Sequence, residues 1–221
     1  MYFRVSKSIV LIGLFLMMSA SASLMGDVVR FETSLGDFRV QLFEEVAPKT
    51  VANFVNYVSD GDYENSIVHR SIPGFVIQGG GFDSGLSDIP TDDPVVNEFS
   101  LSNLRGTIAM AKLGGDPNSA TSQWFINLAD NEFLDSQNSG FTVFGEVFAE
   151  DLSVIDAIAG VETYGLGGPF RDIPLVNYSN GRPRPEQMVV IERIQQVPEP
   201  QSMGIVSSLL LILWQRRRMR G

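Results

Sequence analysis

The chain has no cysteine, which removes disulfides, thiol catalysis and cysteine-ligated zinc at once. Histidine is almost as scarce, with His69 the single example. Positive charge is also short: 16 Lys and Arg stand against 26 Asp and Glu, for a net charge of −10. The deficit deepens in the middle, because Arg4 and Lys7 lie near the start while Arg216, Arg217, Arg218 and Arg220 lie at the very end. An acidic body does not track phosphate backbones, so nucleic acid is not an expected partner. Long hydrophobic runs are missing as well. Ile9 to Met18 and Met203 to Trp214 are the longest, and both fall short of the ~20 residues a membrane-spanning helix needs. Nor is there a low-complexity tract of the kind that marks disorder.

What remains is ordinary globular material, 221 residues with 44% apolar and 10% aromatic side chains. That is enough for one domain plus processing segments. Residues 1–22 read as a secretory signal: Arg4 and Lys7 form the basic start, Ile9 to Met18 the apolar middle, and Ala20-Ser21-Ala22 an A-x-A cleavage site. Without cysteines, an exported protein of this kind depends on packing for its stability.

From Asp27 the pattern turns to β. Val28 to Thr33 and Asp37 to Leu42 form two predicted strands around Ser34-Leu35-Gly36. Pro48 opens a predicted helix with Val51, Phe54, Val55 and Val58 at helical spacing, and Gly61 closes it. Gly106 to Ala111, Ser122 to Asn127, Thr142 to Val147 and Met188 to Ile194 are further strand candidates. A second helix is predicted near Asp151 to Ala159, followed by a Gly- and Pro-rich loop over 160–187. Many short strands with two helices predict a β-barrel or sandwich.

One stretch stands out, His69-Arg70-Ser71-Ile72-Pro73-Gly74-Phe75-Val76-Ile77-Gln78-Gly79-Gly80-Gly81. Pro73-Gly74 is a tight-turn signal, since Pro presets φ and Gly accepts a positive φ next to it. Two short strands around that turn set Arg70 and Gln78 side by side over an apolar patch. Two hydrogen-bonding side chains over an apolar wall make a site rather than a core.

These residues resemble the signature of the cyclophilin-type peptidyl-prolyl isomerases. So do Asn97-Glu98-Phe99, Arg105 to Ala111 and Asn118 to Asn127, in consistent order from about Asp27 to Val197. The resemblance implies a mainly β fold, a closed eight-stranded antiparallel barrel capped by two α-helices, with the groove on its outer face. It implies a prolyl isomerase needing no cofactor and no metal. Arg70, Gln78 and Phe75 match the family's catalytic set. Val76, Ala111, Lys112, Gln123, Phe125, Phe133, Leu134 and Phe141 match its substrate-binding positions. Phe133 stands where some members carry tryptophan, and Phe141 where many carry His or Tyr. His69 matches a position that supports the fold.

Weaker signals have plainer readings. Asp83, Asp88, Asp92, Asp93 and Glu98 lack EF-hand spacing and read as a solvated acidic loop. Gly79-Gly80-Gly81 lacks the GK[ST] of a phosphate loop. Asn177-Tyr178-Ser179 fits a glycosylation pattern, with meaning only in a suitable host.

Val197-Pro198-Glu199-Pro200, the apolar run from Met203 and the closing arginines are similar to a PEP-CTERM sorting signal. That resemblance implies processing by an exosortase and transient or permanent anchoring at the inner membrane of a bacterial envelope. The division is therefore 1–22 signal, 23–197 isomerase domain and 198–221 tail. The expected partners are proline-containing peptides and unfolded exported proteins, met by a monomer in the periplasm or envelope. The alternative is a binding module or chaperone that holds proline segments without turning them over.

Overall fold

The computed structural model describes residues 28–197. The predicted leader and tail lie outside the described residues, and among those described no helix is long and apolar enough to cross a membrane.

The strands in chain order are β1 (Val28–Thr33), β2 (Phe38–Leu42), β3 (Ser66–Ile67), β4 (Arg70–Ile72), β5 (Val76–Gly79), β6 (Thr107–Met110), β7 (Trp124–Asn127), β8 (Val143–Val147), β9 (Thr163–Tyr164), β10 (Ile173–Pro174) and β11 (Val190–Val197). The helices are α1 (Pro48–Asp60) and α2 (Leu152–Ala159). The main sheet is antiparallel throughout and runs β3-β11-β1-β2-β8-β6-β7-β5-β4. Its two ends, β3 and β4, are separated in sequence only by Val68 and His69. Hydrogen bonds continue through that gap on both sides, Val68 N–H to Val189 O at 3.0 Å and His69 N–H to Gln78 O at 3.0 Å. Ser66 to Ile72 is therefore one bent strand that pairs with both ends of the sheet. Counted once, it gives the expected eight-stranded closed barrel.

The bend breaks the usual alternation of faces. Val68 lies in the main core, whereas His69 packs edge-on against Phe82 at 4.9 Å, outside it. Ser71 is paired with Ile77, itself a core residue, so Ser71 faces inward and Arg70 outward. Strict period-two alternation from Val68 would have turned Arg70 into the barrel. The slip puts it on the surface.

The core is aromatic. Phe31 stacks on Phe38 at 4.5 Å and meets Trp124 edge-on at 5.3 Å, and Phe54 from α1 lies 5.1 Å from Phe144. α1 begins at its proline and ends at Gly61, whose φ of 79° is the left-handed region that glycine accepts without cost. It turns Val51, Phe54 and Tyr57 into the core, and α2 adds Ile155 and Ile158. No side chain of its own caps α1. Glu98 does so from a distance, accepting from Thr50 N–H at 2.8 Å and Lys49 N–H at 3.2 Å. That satisfies helix-end donors with a negative charge where the helix dipole favours one.

Two expectations are refined. The last strand starts and ends later than the apolar pattern suggested, at Val190–Val197. The 160–187 segment is more than a loop: β9 and β10 pair within it, and Ile173, Leu175 and Met188 build a second small core with Ile67 and Phe82. The predicted acidic loop also has internal uses, since Asp83 Oδ1 accepts from the backbone of Gly85 and Ser87 at 2.8 and 2.9 Å.

Two predictions follow from packing around the bent strand. Gly80 has φ +74°, and a Cβ there would sit 2.7 Å from Ser122 O and 2.8 Å from Trp124 Nε1. Gly80→Ala is expected to cost roughly 2–3 kcal/mol through combined strain and overpacking, a fall in melting temperature of roughly 5–10 °C. His69 is 2% exposed. Burial, and secondarily the Arg70 charge, push its pKa from 6.5 down to about 4. The unfolded chain takes up this proton first, so the stabilisation is complete above the unfolded value and is lost as pH falls through the window from 6.5 to about 4. The full effect is on the order of 3 kcal/mol. Thermal melts across that window should fall less steeply for His69→Gln than for the wild type; parallel curves would show that His69 is not the titrating group.

Candidate functional site

Arg70 and Gln78 owe their juxtaposition to the β4–β5 hairpin. Its turn is built as the sequence predicts, with Gly74 at φ 72° and Phe75 N–H donating to Ile72 O at 3.0 Å. The register makes Arg70 and Gln78 direct cross-strand neighbours. The same row continues across the barrel wall: Gln78 faces Phe125 on β7, Phe125 faces Ala109 on β6, and Ala109 faces Val143 on β8. Five strands thus give one outward line that begins with two polar groups and becomes apolar.

Val76, Ala109, Phe125, Leu134 and Val143 are buried together on this outer side, with Phe75, Ala111 and Phe141 packed against them. This cluster is distinct from the barrel core and forms the floor of a groove. The Phe141 ring stands edge-on to Phe125 at 5.7 Å. At the opposite lip Phe75 and Phe133 stack at 5.6 Å with planes 28° apart. Phe133 is 51% exposed, which makes it a rim rather than a floor. Aromatic walls of this kind bind a flat apolar ring through area and offset contact.

The polar end is ordered by a relay. Gln78 Nε2 donates to Gln123 Oε1 at 2.8 Å, and Arg70 Nη1 donates to Gln78 Oε1 at 3.3 Å. The guanidinium carbon lies 5.9 Å from the Phe75 ring centre, and Nε lies 3.9 Å from Asp172 Oδ2. Gln123 therefore reaches the site through Gln78, whose amide it orients.

The Lys112 side chain is held within the structure. Its ammonium donates to Asn138 O at 2.9 Å and Gly140 O at 2.6 Å, and lies 4.9 Å from the centre of the Phe141 ring. Burial pushes its pKa down. The side chain is spent on holding the loop before Phe141, so it shapes the groove wall from behind.

A buried polar net that the sequence analysis did not anticipate ties the walls together. Asn131 Nδ2 donates to Phe75 O at 2.9 Å and to Asn127 Oδ1 at 2.8 Å. Asn127 Nδ2 donates in turn to Thr107 Oγ1 at 2.9 Å. Asn103 Nδ2 donates to Asp135 Oδ1 at 2.9 Å and to Phe141 O at 3.2 Å. Asp135 closes the short 3-10 turn Glu132–Asp135 that carries Phe133 and Leu134. Burial raises the Asp135 pKa, but hydrogen bonds from Ser102 and Asn103 outweigh it and hold the carboxyl below its ordinary value. The backbones that present Phe75, Phe133 and Phe141 thus meet in one set of amides. The only trace in the sequence is the four-residue spacing of Asn127, Asn131 and Asp135.

Chemically, the groove offers hydrogen-bond donors over a buried apolar floor. It suits a ligand with an apolar ring joined to a polar amide.

The comparisons agree with this geometry. Residues 28–199 match the family model described as cyclophilin type peptidyl-prolyl cis-trans isomerase. Peptidyl-prolyl cis-trans isomerase B of Escherichia coli is 45% identical over 154 residues, 66% of this chain and 92% of that protein. A peptidyl-prolyl cis-trans isomerase of Acinetobacter baylyi is 44% identical over 165 residues, covering 72% and 85% respectively. In three dimensions, a Cryptosporidium parvum cyclophilin type peptidyl-prolyl cis-trans isomerase aligns with TM-score 0.59 over 79% of this chain and 99% of its own, at 24% identity, a likeness of fold. With the matched span running through every strand of the barrel and both lips of the groove, the chain belongs to the cyclophilin-type peptidyl-prolyl cis-trans isomerase family.

Proposed function

We propose that this isomerase acts outside the cytoplasm, turning X-Pro bonds of exported proteins as they fold, with Arg70 as the group that stabilises the twisted amide. The observation that carries the mechanism is the outward row in which Arg70 and Gln78 precede Phe125.

Rotation about a peptide bond must overcome amide resonance, a barrier of ~18–20 kcal/mol. No covalent bond breaks, so a nucleophile has nothing to attack. The reaction is accelerated only by contacts that are stronger to the twisted amide than to either planar form. Twisting ends conjugation and leaves a lone pair on the proline nitrogen. A guanidinium N–H beside the pocket donates to that lone pair and has no such acceptor in the planar ground state. Phe75, Val76, Phe125, Leu134 and Phe141 hold the ring, while Gln78 binds the backbone of the same peptide and keeps the Arg70 fork in place. Ala111 and the Lys112 backbone lie where the preceding residues of the peptide would run. Removing one preorganised donor of this kind typically costs ~100-fold or more in rate.

The location rests on the basic–apolar–Ala20-Ser21-Ala22 start and on the Pro-Glu-Pro, apolar and arginine blocks of the tail. An exosortase would process the tail, with the barrel held at the membrane face until then. The bent strand pairs with both ends of the main sheet, which supports action as a monomer.

Two experiments test this. In a proline-isomerisation assay on residues 23–197, Arg70→Ala should lose ~100-fold in kcat/KM with peptide binding little changed and the circular dichroism spectrum preserved. A folded wild type without a rate would favour the non-catalytic binder, and a rate indifferent to Arg70 would favour a chaperone. For location, the full-length chain in a host with an exosortase should appear cleaved after Ala22 and trimmed near Pro198. Retention in the cytoplasm at full length would overturn the export reading.

A further inference from the structure

We propose that Asp172 is a positioning residue for Arg70, so that the segment between β9 and β10 helps to set the catalytic geometry of the groove. An arginine side chain has several rotatable bonds and loses on the order of 2 kcal/mol of rotamer entropy when fixed. A donor that must meet one lone pair in one direction needs holding at more than one corner. Gln78 takes the Nη1 corner at 3.3 Å. Asp172 faces the Nε corner, at 3.9 Å from Oδ2, and is the one carboxylate paired with this guanidinium in the described residues.

The backbone that carries this carboxylate is anchored. Asp172 O accepts from Ser71 N–H at 2.8 Å, so the residue is pinned to the strand that carries Arg70. Its neighbour Ile173 is fully buried and pairs with Tyr164 across β9 and β10. Phe170, two residues earlier, packs edge-on against Phe82 at 4.8 Å, and Phe82 in turn packs on His69. The segment is therefore docked against the bent strand at Ser71 and, through Phe82, beside His69. With Nη1 and Nε turned to Gln78 and Asp172, the Nη2 end of the fork is left for substrate.

As a source of stability this pair counts for little, since the two side chains are 34% and 43% exposed. Its use is directional. At 3.9 Å the contact is an electrostatic hold, longer than a formed hydrogen bond. It shortens when a bound peptide excludes water from the groove, as catalytic contacts commonly do on substrate binding.

Asp172→Asn keeps the shape and removes the charge. In the full-length protein it is expected to lower kcat about three- to tenfold with KM within about twofold, while leaving the melting temperature unchanged. Asp172→Glu should recover part of the loss. In an Arg70→Ala background, Asp172→Asn should do nothing further, because both act through the same group. The Arg70 Nε–H resonance should also move on Asp172→Asn, a readout that does not depend on turnover. An unchanged kcat, an equal loss in the Arg70→Ala background, or a stationary Arg70 signal would each overturn the proposal. A wild type without isomerase activity would count against the catalytic reading alone, and the Nε–H signal would still decide whether Asp172 holds Arg70.

Discussion

A twisted antiparallel sheet leaves two open edges unless a single strand pairs with both of its ends, and here that duty falls on Ser66 to Ile72. Its first part hydrogen-bonds to β11 and its second to β5, so it has to bend between them. The bend costs one step of alternation at His69 and Arg70. That step turns a guanidinium outward onto the barrel wall and buries the imidazole beneath Phe82. Closure, the neutral histidine and the exposed arginine are consequences of the same local geometry. A regular strand would have given an arginine inside an aromatic core, where an unpaired charge costs several kcal/mol.

The wall then supplies what the reaction needs. In the proposed mechanism a rotating amide asks for recognition of shape and of one transient lone pair, and a rigid wall serves both without reactive groups. The floor of the groove is the outer face of five paired strands, so Phe125 and Val76 cannot shift without disturbing ladders on both sides. The lips are less regular. They are tied through backbone carbonyls of Phe75 and Phe141 to buried asparagines, with each buried amide satisfied by another. A fully paired polar net of this kind fixes one arrangement, since any other leaves a buried donor or acceptor unmet. Preorganised walls also bind peptide without first being ordered, which leaves more of the binding energy for the twisted form.

Much of this was legible in the chain. The Pro73-Gly74 turn fixes the hairpin, and the hairpin fixes the Arg70–Gln78 pair, because turn geometry sets register over so short a distance. The periodicity around α1 and the strand runs at Phe38 and Ile108 is strong enough to survive tertiary packing. What the sequence hides is long-range. Glu98 caps a helix that begins 50 residues before it in the chain, at Pro48. The Lys112 ammonium is held by carbonyls of Asn138 and Gly140, 26 and 28 residues further on. Asp172 meets Arg70 only after a Gly- and Pro-rich segment folds back along the bent strand. Nothing local to these residues encodes their partners. Even the size of the small core around Ile173 escapes a pattern search, since its members come from four separate stretches.

The absence of cysteine gives this closure added weight. With no crosslink to limit the unfolded chain, the described domain depends on burial and on the bent strand that joins both ends of its sheet. Phe31, Phe38, Phe54, Trp124 and Phe144 supply large apolar areas in mutual contact, and the two helices add theirs to the same cluster. The same packing stiffens the wall from behind: Trp124 and Ile126 face the core while Phe125 between them faces the groove. Stability and function therefore occupy alternate residues of one strand. A change at Trp124 would be felt by the groove through its backbone, whereas Phe125 can vary on the outer face with little effect on the core. That separation lets one barrel keep its interior fixed while residues on the outer face, such as Phe133 and Phe141, are free to differ.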